Sequence, residues 1–196
     1  MTFTRPFNVL QRRVWDYNAN GLYCITITTQ QRRLLFGTLL EDRMHWSVAG
    51  GIVDLLWRQL PQRIEGVSLG DFVVMPNHLH GIICVDHPKC SEVLHATPLR
   101  GFYPKNEQLS HISPSSGSVS SIIRSYKSAV TKQLHQLNLD FAWQRSFHSY
   151  AIPTAQAYQR VLTHLQNNHK TWATDKFHPR MKRKKASNYR KVTRRL

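Results

Sequence analysis

The chain has 196 residues, of which 41% are hydrophobic, so it can bury the core of one domain and is too short for two comfortable ones. This hydrophobic content excludes wholesale disorder. Lys and Arg number 27 against 11 Asp and Glu, a formal net charge of +16. Such a surplus opposes compaction unless a polyanion neutralises it, which makes nucleic acid the first candidate partner.

Nothing in the sequence indicates a membrane partner. No run approaches the roughly 20 apolar residues that cross a bilayer, and no basic helix face lies opposite an aromatic one, which disfavours an anionic membrane surface. Residues 1–13 lack the apolar segment of a signal peptide. Cys24, Cys84 and Cys90 have no C-x-x-C spacing, so we expect no cysteine metal site and a reducing, cytoplasmic location.

The first half of the chain alternates strand and helix patterns. Residues 22–29 form a β-branched run that predicts a strand, and residues 38–46 predict a weaker second strand. Apolar spacing predicts a helix over 51–60, ended by Pro61. Two further strands, 68–75 and 79–85, are separated by Pro76 and Asn77.

The second half begins with a polar, Pro- and Ser-rich stretch, residues 87–118, which predicts a long loop. Ser118 or Ser120 can cap a helix that runs to about Leu137. A strand over 145–152 and a helix from 154 to about 170 follow. The order predicts an α+β fold with helices on one face of a mainly antiparallel sheet.

Residues 1–177 are therefore expected to form one domain, followed by a basic, disordered tail over 178–196. Nine Lys or Arg and no acid lie between residues 180 and 196, which predicts phosphate contacts. A solubilising tail without a fixed partner is the alternative. The rest of the chain has 18 bases against 11 acids, so the predicted domain is basic as well.

The segment FVVMPNHLHGIIC, residues 72–84, carries the clearest chemical signal. Residues two apart in a strand project from the same face, so His78 and His80 point together and Leu79 points away. Two neutral imidazoles can hold a divalent ion and leave positions open for a substrate oxygen. Two histidines on a half-exposed strand that bind no metal fit the same spacing.

The run MPNHLHGII resembles the HUH motif of small tyrosine transposases, specifically the REP-associated branch. Four other segments resemble that family in the same order. They are the opening strand at 17–37, the middle helix at 121–132, the WQRSF entry to the last strand at 143–147, and the end of the last helix at 167–177. The resemblance therefore covers residues 17–177.

This resemblance implies a ferredoxin-like βαββαβ core with an extra C-terminal helix. It also implies binding of hairpin-forming single-stranded DNA and strand cleavage by a tyrosine that becomes joined to the 5′ phosphate. A divalent ion, Mg²⁺ or Mn²⁺, would be held by His78, His80 and an Asn or Gln, which the alignment places at Asn168. The ion would stabilise charge on the phosphate as a Lewis acid.

The alignment of the last helix places His164 where the family has its nucleophilic tyrosine. His164 and Asn168 are four residues apart and share one helix face. Four interpretations remain open: DNA binding without cleavage, a nucleophilic histidine, a further metal ligand at His164, or another tyrosine. Among the tyrosines, Tyr126 is the substitute we name, although its place in an apolar stripe is typical of a core residue.

Basic side chains supply the predicted DNA contacts. A solvated helix face explains Arg124, Lys127 and Lys132 equally well. The candidates are Arg12, Arg13, Arg124, Lys127, Lys132, Arg145, Lys182, Arg183, Lys184 and Lys185.

Two other functions fit the sequence. One is a catalytically inactive, structure-specific DNA- or RNA-binding module derived from a transposase. The other is an RNA-binding ferredoxin-like domain, which requires exposed aromatics on the central strands, where residues 22–29 offer only Tyr23. A monomer and a homodimer are both compatible with the sequence.

Overall fold

A computed structural model of the protein describes residues 21–85 and 118–179. The elements in chain order are β1 (Gly21–Thr28), β2 (Gly37–Leu40), β3 (Arg43–Trp46), α1 (Val48–Arg58), α2 (Leu60–Arg63), β4 (Val67–Met75), β5 (His78–Val85), α3 (Val119–Gln136), β6 (His148–Ala151) and α4 (Ala155–Asn167). Short 3-10 turns lie at Gln30–Arg32 and Trp172–Thr174.

The central sheet has four strands in the order β4-β5-β1-β6, and each neighbouring pair is antiparallel. Helix α1 lies between β1 and β4 in the chain, and α3 lies between β5 and β6. This is the connectivity and strand order of a ferredoxin-like βαββαβ core. The predicted fold class is confirmed.

The two faces of the sheet are covered by different helices. Ile25, Ile27 and Leu79 pack with α1 and α3 in the main hydrophobic core. Cys24 and Ile82, which alternate with them along the strands, pack with α4 in a second, smaller cluster. The prediction of helices on one face therefore holds for α1 and α3, while α4, the extra C-terminal helix, covers the opposite face.

Gly81 allows α1 to approach β5 closely. A Cβ at this position would lie 2.6 Å from Trp57 Cζ2 and 3.0 Å from Phe72 Cβ. Trp57 is fully buried, so its ring cannot retreat into solvent. The glycine that follows His80 thus positions the central strand against α1.

Two predictions of local structure were wrong. Residues 38–46 form the hairpin β2-β3, because Glu41 and Asp42 adopt positive φ values of 49° and 59° and reverse the chain. Pro61 does not end a helix. Helix α1 already ends at Arg58, and Pro61 lies in the first turn of α2, where its missing N–H is not needed.

Several predictions concern residues outside the described ranges. These are the loop at 87–118 except its last residue, the tail beyond residue 179, and the candidate DNA contacts Arg12, Arg13, Lys182, Arg183, Lys184 and Lys185. Among the residues that the structure describes, no helix is both long and apolar enough to span a membrane.

Candidate metal and nucleic-acid site

His78 and His80 project from the same face of β5, as strand geometry predicts. Their ring centroids are 4.5 Å apart, and both side chains are buried, with 0% and 4% of their surface exposed. Leu79 points to the other face and joins the main core. Two imidazoles therefore converge in a space that excludes bulk water.

Asn77 fixes the orientation of the His78 ring. Its Nδ2 donates to the carbonyl oxygens of Arg32 at 3.1 Å and Phe177 at 2.9 Å, so its Oδ1 is left to accept. That oxygen lies 2.8 Å from His78 Nδ1. Because an amide oxygen can only accept, His78 carries its proton on Nδ1 and presents an unprotonated Nε2.

His80 is held in a similar way by β1. Thr26 lies opposite His80 in the antiparallel register, and its Oγ1 is 2.7 Å from His80 Nδ1. With Nδ1 bonded to the hydroxyl, Nε2 is the ring nitrogen available to a metal ion. Neighbouring side chains therefore orient both rings.

Burial keeps both imidazoles neutral. It lowers the pKa of His78 well below its usual value, and the nearby His80 and Lys176 lower it further. Burial also lowers the pKa of His80 to about 3, with smaller contributions from His164 and Lys176. A neutral imidazole is the form that binds metal, so the site does not need alkaline pH to be competent.

Asp175 brings a carboxylate to the two histidines. Its Oδ2 lies 3.9 Å from His78 Nε2, and its side chain is only 7% exposed. This distance is too long for a hydrogen bond, and a neutral His78 cannot form an ion pair. One ligand atom from each of His78, His80 and Asp175 lies within 4.8 Å of the others, so this buried cluster could hold a metal ion.

Asn168 lies directly after α4 and is fully buried. Its Nδ2 donates to His164 O at 2.8 Å. Its Oδ1 and His78 Nε2 are both buried without a hydrogen-bond partner among the described residues. Buried hydrogen-bond acceptors normally have a partner. Two acceptors cannot hydrogen-bond to each other, but both can bind the same cation.

His164 reaches the same site from α4. Its ring centroid is 5.4 Å from that of His80, and its side chain is exposed. The predicted nucleophile position is therefore beside the histidine pair, and an imidazole occupies it.

Three tyrosines within the described ranges are candidate substitutes for this side chain, and none of the three lies at the histidine pair. Tyr126 is buried on the opposite face of the sheet and donates to Val53 O at 2.8 Å, so naming it as a substitute nucleophile was wrong. Tyr158 belongs to α4, and its side chain is buried in the smaller cluster. Tyr150 is half exposed on β6 opposite Cys24, and burial raises its pKa, which disfavours the nucleophilic phenolate.

Three of the predicted DNA contacts line one groove of about 540 Å³ between the C-terminal half of α3 and residues 141–145. They are Lys127, Lys132 and Arg145; Arg124 does not line it. Lys127 Nζ donates to Gln144 O at 2.6 Å and to Arg145 O at 3.2 Å, so it shapes the groove. Lys132 and Arg145 are exposed and can contact phosphate.

The groove and the histidines lie at the same end of the sheet but on opposite faces, because α3 packs in the main core on the face away from His78 and His80. Gln144 N donates to Thr28 O at 2.8 Å, and Thr28 pairs with His78. Two strand spacings, roughly 10 Å, therefore separate the backbone of the groove from that of His78.

Sequence analysis missed Asp175, Asn77 and Thr26 as parts of the site. Asp175 lies in a segment that we noted only for its resemblance to the end of the family's last helix. Thr26 could be found only with the strand register, since 54 residues separate it from His80. Sequence analysis placed Asn77 only between two predicted strands, and its contacts with both His78 and Phe177 need the tertiary structure.

Comparisons with known proteins find similar proteins and assign no function to this chain. No family model matches the sequence. The chain is 28% identical over 168 residues to an uncharacterized protein of Haemophilus influenzae, covering 84% of this chain and 88% of that protein.

Two solved structures are similar. One is the REP-associated tyrosine transposase bound to a REP hairpin, with a TM-score of 0.48 and 15% identity over 86% of this chain and 72% of that one. The other is a crystal structure from Deinococcus radiodurans R1, with a TM-score of 0.40 and 15% identity over 86% of this chain and 98% of that one.

Proposed function

We propose that the protein binds hairpin-forming single-stranded DNA in the manner of the HUH transposases and holds a divalent ion, Mg²⁺ or Mn²⁺, with His78, His80 and Asn168. The observation that carries this proposal is the pair of buried acceptors, His78 Nε2 and Asn168 Oδ1, which have no donor among the described residues. His78 lies beside the His80 ring, and Asn168 directly follows α4, the helix that covers the same face of the sheet.

The chemistry of the donor set fits a divalent ion. When bound, the ion would supply Lewis-acid stabilisation of charge on a scissile phosphate. The protein holds the two rings through Asn77 and Thr26 and excludes water from their inner faces. Burial disfavours protonation of the imidazoles, so protons compete weakly with the ion for the same nitrogens.

The DNA backbone is proposed to run from the groove at Lys132 and Arg145 towards the histidine pair. Both ends of this path are basic. Lys176, whose charge is among the causes that lower the pKa of His78 and His80, lies with its Nζ 4.8 Å from the centre of the Phe177 ring. Cations along such a path release condensed counterions when phosphates bind, so binding should weaken steeply with salt.

His164 decides whether the bound strand is cut. A nucleophilic imidazole would attack phosphorus with a ring nitrogen, form a phosphoramidate at the 5′ phosphate and release the 3′ oxygen. This chemistry uses a different attack geometry from that of a tyrosine hydroxyl. Cleavage is therefore the part of the proposal that experiment must test separately from DNA binding.

The test uses an end-labelled hairpin strand with Mg²⁺ or Mn²⁺. A covalent protein–DNA adduct that disappears with His78→Ala would establish the enzyme. His164→Tyr restores the hydroxyl, and a large gain in cleavage would identify position 164 as a disabled nucleophile. If wild-type protein already cleaves and this variant cleaves equally well, the alignment of α4 with the family's last helix is wrong.

The second candidate function is a non-cleaving, structure-specific DNA- or RNA-binding module, and the imidazole at position 164 favours it. This function predicts no adduct and salt-sensitive hairpin binding. It also predicts that His80→Ala leaves binding nearly unchanged, whereas deletion of residues 180–196 weakens it at moderate salt. Loss of hairpin binding in His80→Ala would exclude this candidate in favour of a metal-dependent complex.

A further inference from the structure

Residues 175–177, which we call the strap, cross over the histidine pair after the 3-10 turn Trp172–Thr174. Arg32 Nη1 donates to Lys176 O at 2.6 Å, and Asn77 Nδ2 donates to Phe177 O at 2.9 Å. The Phe177 ring lies 4.7 Å from the His78 ring, centroid to centroid. The strap is therefore fixed to the same side chain, Asn77, that orients His78.

The strap places one carboxylate oxygen of Asp175 near His78. Asp175 Oδ1 accepts from Phe177 N at 2.5 Å, and Oδ2 lies 3.9 Å from His78 Nε2. Metal–nitrogen and metal–oxygen bonds of about 2.0–2.2 Å allow one ion to join atoms up to about 4.4 Å apart. The 3.9 Å separation is therefore short enough for one ion to bridge these two atoms.

The burial of Asp175 also points to a cation. A carboxylate that is 7% exposed is costly unless a positive charge or several donors compensate it. Its Oδ2 faces His78 Nε2 at 3.9 Å, too far for a hydrogen bond. A divalent ion at this point would neutralise the carboxylate and satisfy His78 Nε2 together.

We propose that Asp175 is a further ligand of the ion held by His78, His80 and Asn168, so that the protein supplies a carboxylate in addition to two imidazoles and an amide oxygen. The inference rests on the proposed function, because it concerns the same ion. It also specifies the class of metal. Imidazole ligands suit first-row transition ions, whereas Mg²⁺ prefers oxygen ligands and keeps several waters. The site should therefore prefer Mn²⁺ or Co²⁺ to Mg²⁺ and bind it before DNA arrives.

The test is Mn²⁺ titration of the full chain without DNA, with free Mn²⁺ measured by its EPR signal. Asp175→Asn keeps the shape of the side chain and its acceptor for Phe177 N but removes the charge. Asp140→Asn is the matched control, because Asp140 is 86% exposed and pairs only with Arg33 among the described residues. His78→Ala removes a ligand that the proposed function already requires.

We expect wild type and Asp140→Asn to bind one Mn²⁺ equally, Asp175→Asn to bind at least about tenfold more weakly, and His78→Ala to bind none. A hundredfold excess of Mg²⁺ should not displace Mn²⁺ from wild type. If Asp175→Asn binds as tightly as wild type while His78→Ala does not bind, the role of Asp175 is overturned and the proposed function stands. If wild type binds no Mn²⁺, both proposals fail.

A spectroscopic measurement separates a lost ligand from a damaged fold. Co²⁺ bound to wild type and to Asp175→Asn should give different d–d absorption bands, because an amide replaces a carboxylate in the coordination sphere. Identical bands at saturating Co²⁺ would show that Asp175 does not touch the ion, whatever the affinities are.

Discussion

Replacing Asn77 with Ala tests how far the metal site depends on one buried amide. The change removes the acceptor for His78 Nδ1 and both donors to the carbonyls of Arg32 and Phe177. Loss of an outer-shell partner typically weakens metal binding 10–100-fold, or about 1.4–2.8 kcal/mol. The buried groups that lose their partners should lower the free energy of unfolding by at least about 1–3 kcal/mol.

The assay is Mn²⁺ binding at a temperature where the variant is folded, with thermal unfolding measured on the metal-free protein. Asn167→Ala is the control, because Asn167 is exposed and its side chain donates to Thr163 O. It should leave the Mn²⁺ affinity unchanged. A folded Asn77→Ala protein that binds Mn²⁺ as tightly as wild type would refute the argument that this amide fixes the His78 ring.

Three further predictions concern the core and the buried histidines. Gly81→Ala should destabilise the protein by about 1–3 kcal/mol, because its Cβ would meet the buried Trp57 ring. The control, Gly51→Ala in α1, meets nothing within 4 Å and should stabilise the protein by about 0.5–1 kcal/mol. Equal effects of the two substitutions in chemical denaturation would contradict the close packing of Gly81 against Trp57. The pKa of His80 is about 3 in the folded state and about 6.5 in the unfolded state. Between these two pH values the unfolded chain therefore binds more protons than the folded chain. The unfolding temperature of the metal-free protein should fall as the pH drops from 6.5 towards 3. His80→Gln should flatten that dependence, and an unchanged slope would show that His80 is not its source. Tyr126→Phe should cost about 0.5–1.5 kcal/mol of stability through one lost buried hydrogen bond and leave any strand cleavage unchanged; loss of cleavage in a folded variant would make Tyr126 part of the site after all.

The main architecture could be predicted because local patterns and the core agree. The β-branched run at 22–29 predicted β1, and the apolar run at 79–85 predicted β5. The apolar stripe, with Ser118 as one of two possible caps, predicted α3. The same period of two placed His78 and His80 on one face. These features depend on residues close in sequence, where the rules of strand and helix geometry apply directly.

Other features depend on contacts that no local pattern encodes. The hairpin turn at Glu41 and Asp42 uses positive φ values without the Asn-Gly or Asp-Gly pair that usually signals it. Helices α1 and α3 cover one face of the sheet, and α4 packs on the face that they leave uncovered. The residues of α4 alone do not encode this choice of face. Asp175 meets His78 only because Asn77 and Arg32 fix the strap over the site.

The measurement that tests the central claim most directly is the affinity for a DNA hairpin at fixed ionic strength, with and without Mn²⁺, for wild type and the His78→Ala, His80→Ala double variant. We predict that Mn²⁺ tightens hairpin binding to wild type and has no effect on the double variant, because His78 and His80 would hold the ion that attracts the bound phosphate. Equal Mn²⁺ dependence in both proteins, or none in wild type, would contradict the claim that these histidines hold an ion at the bound DNA.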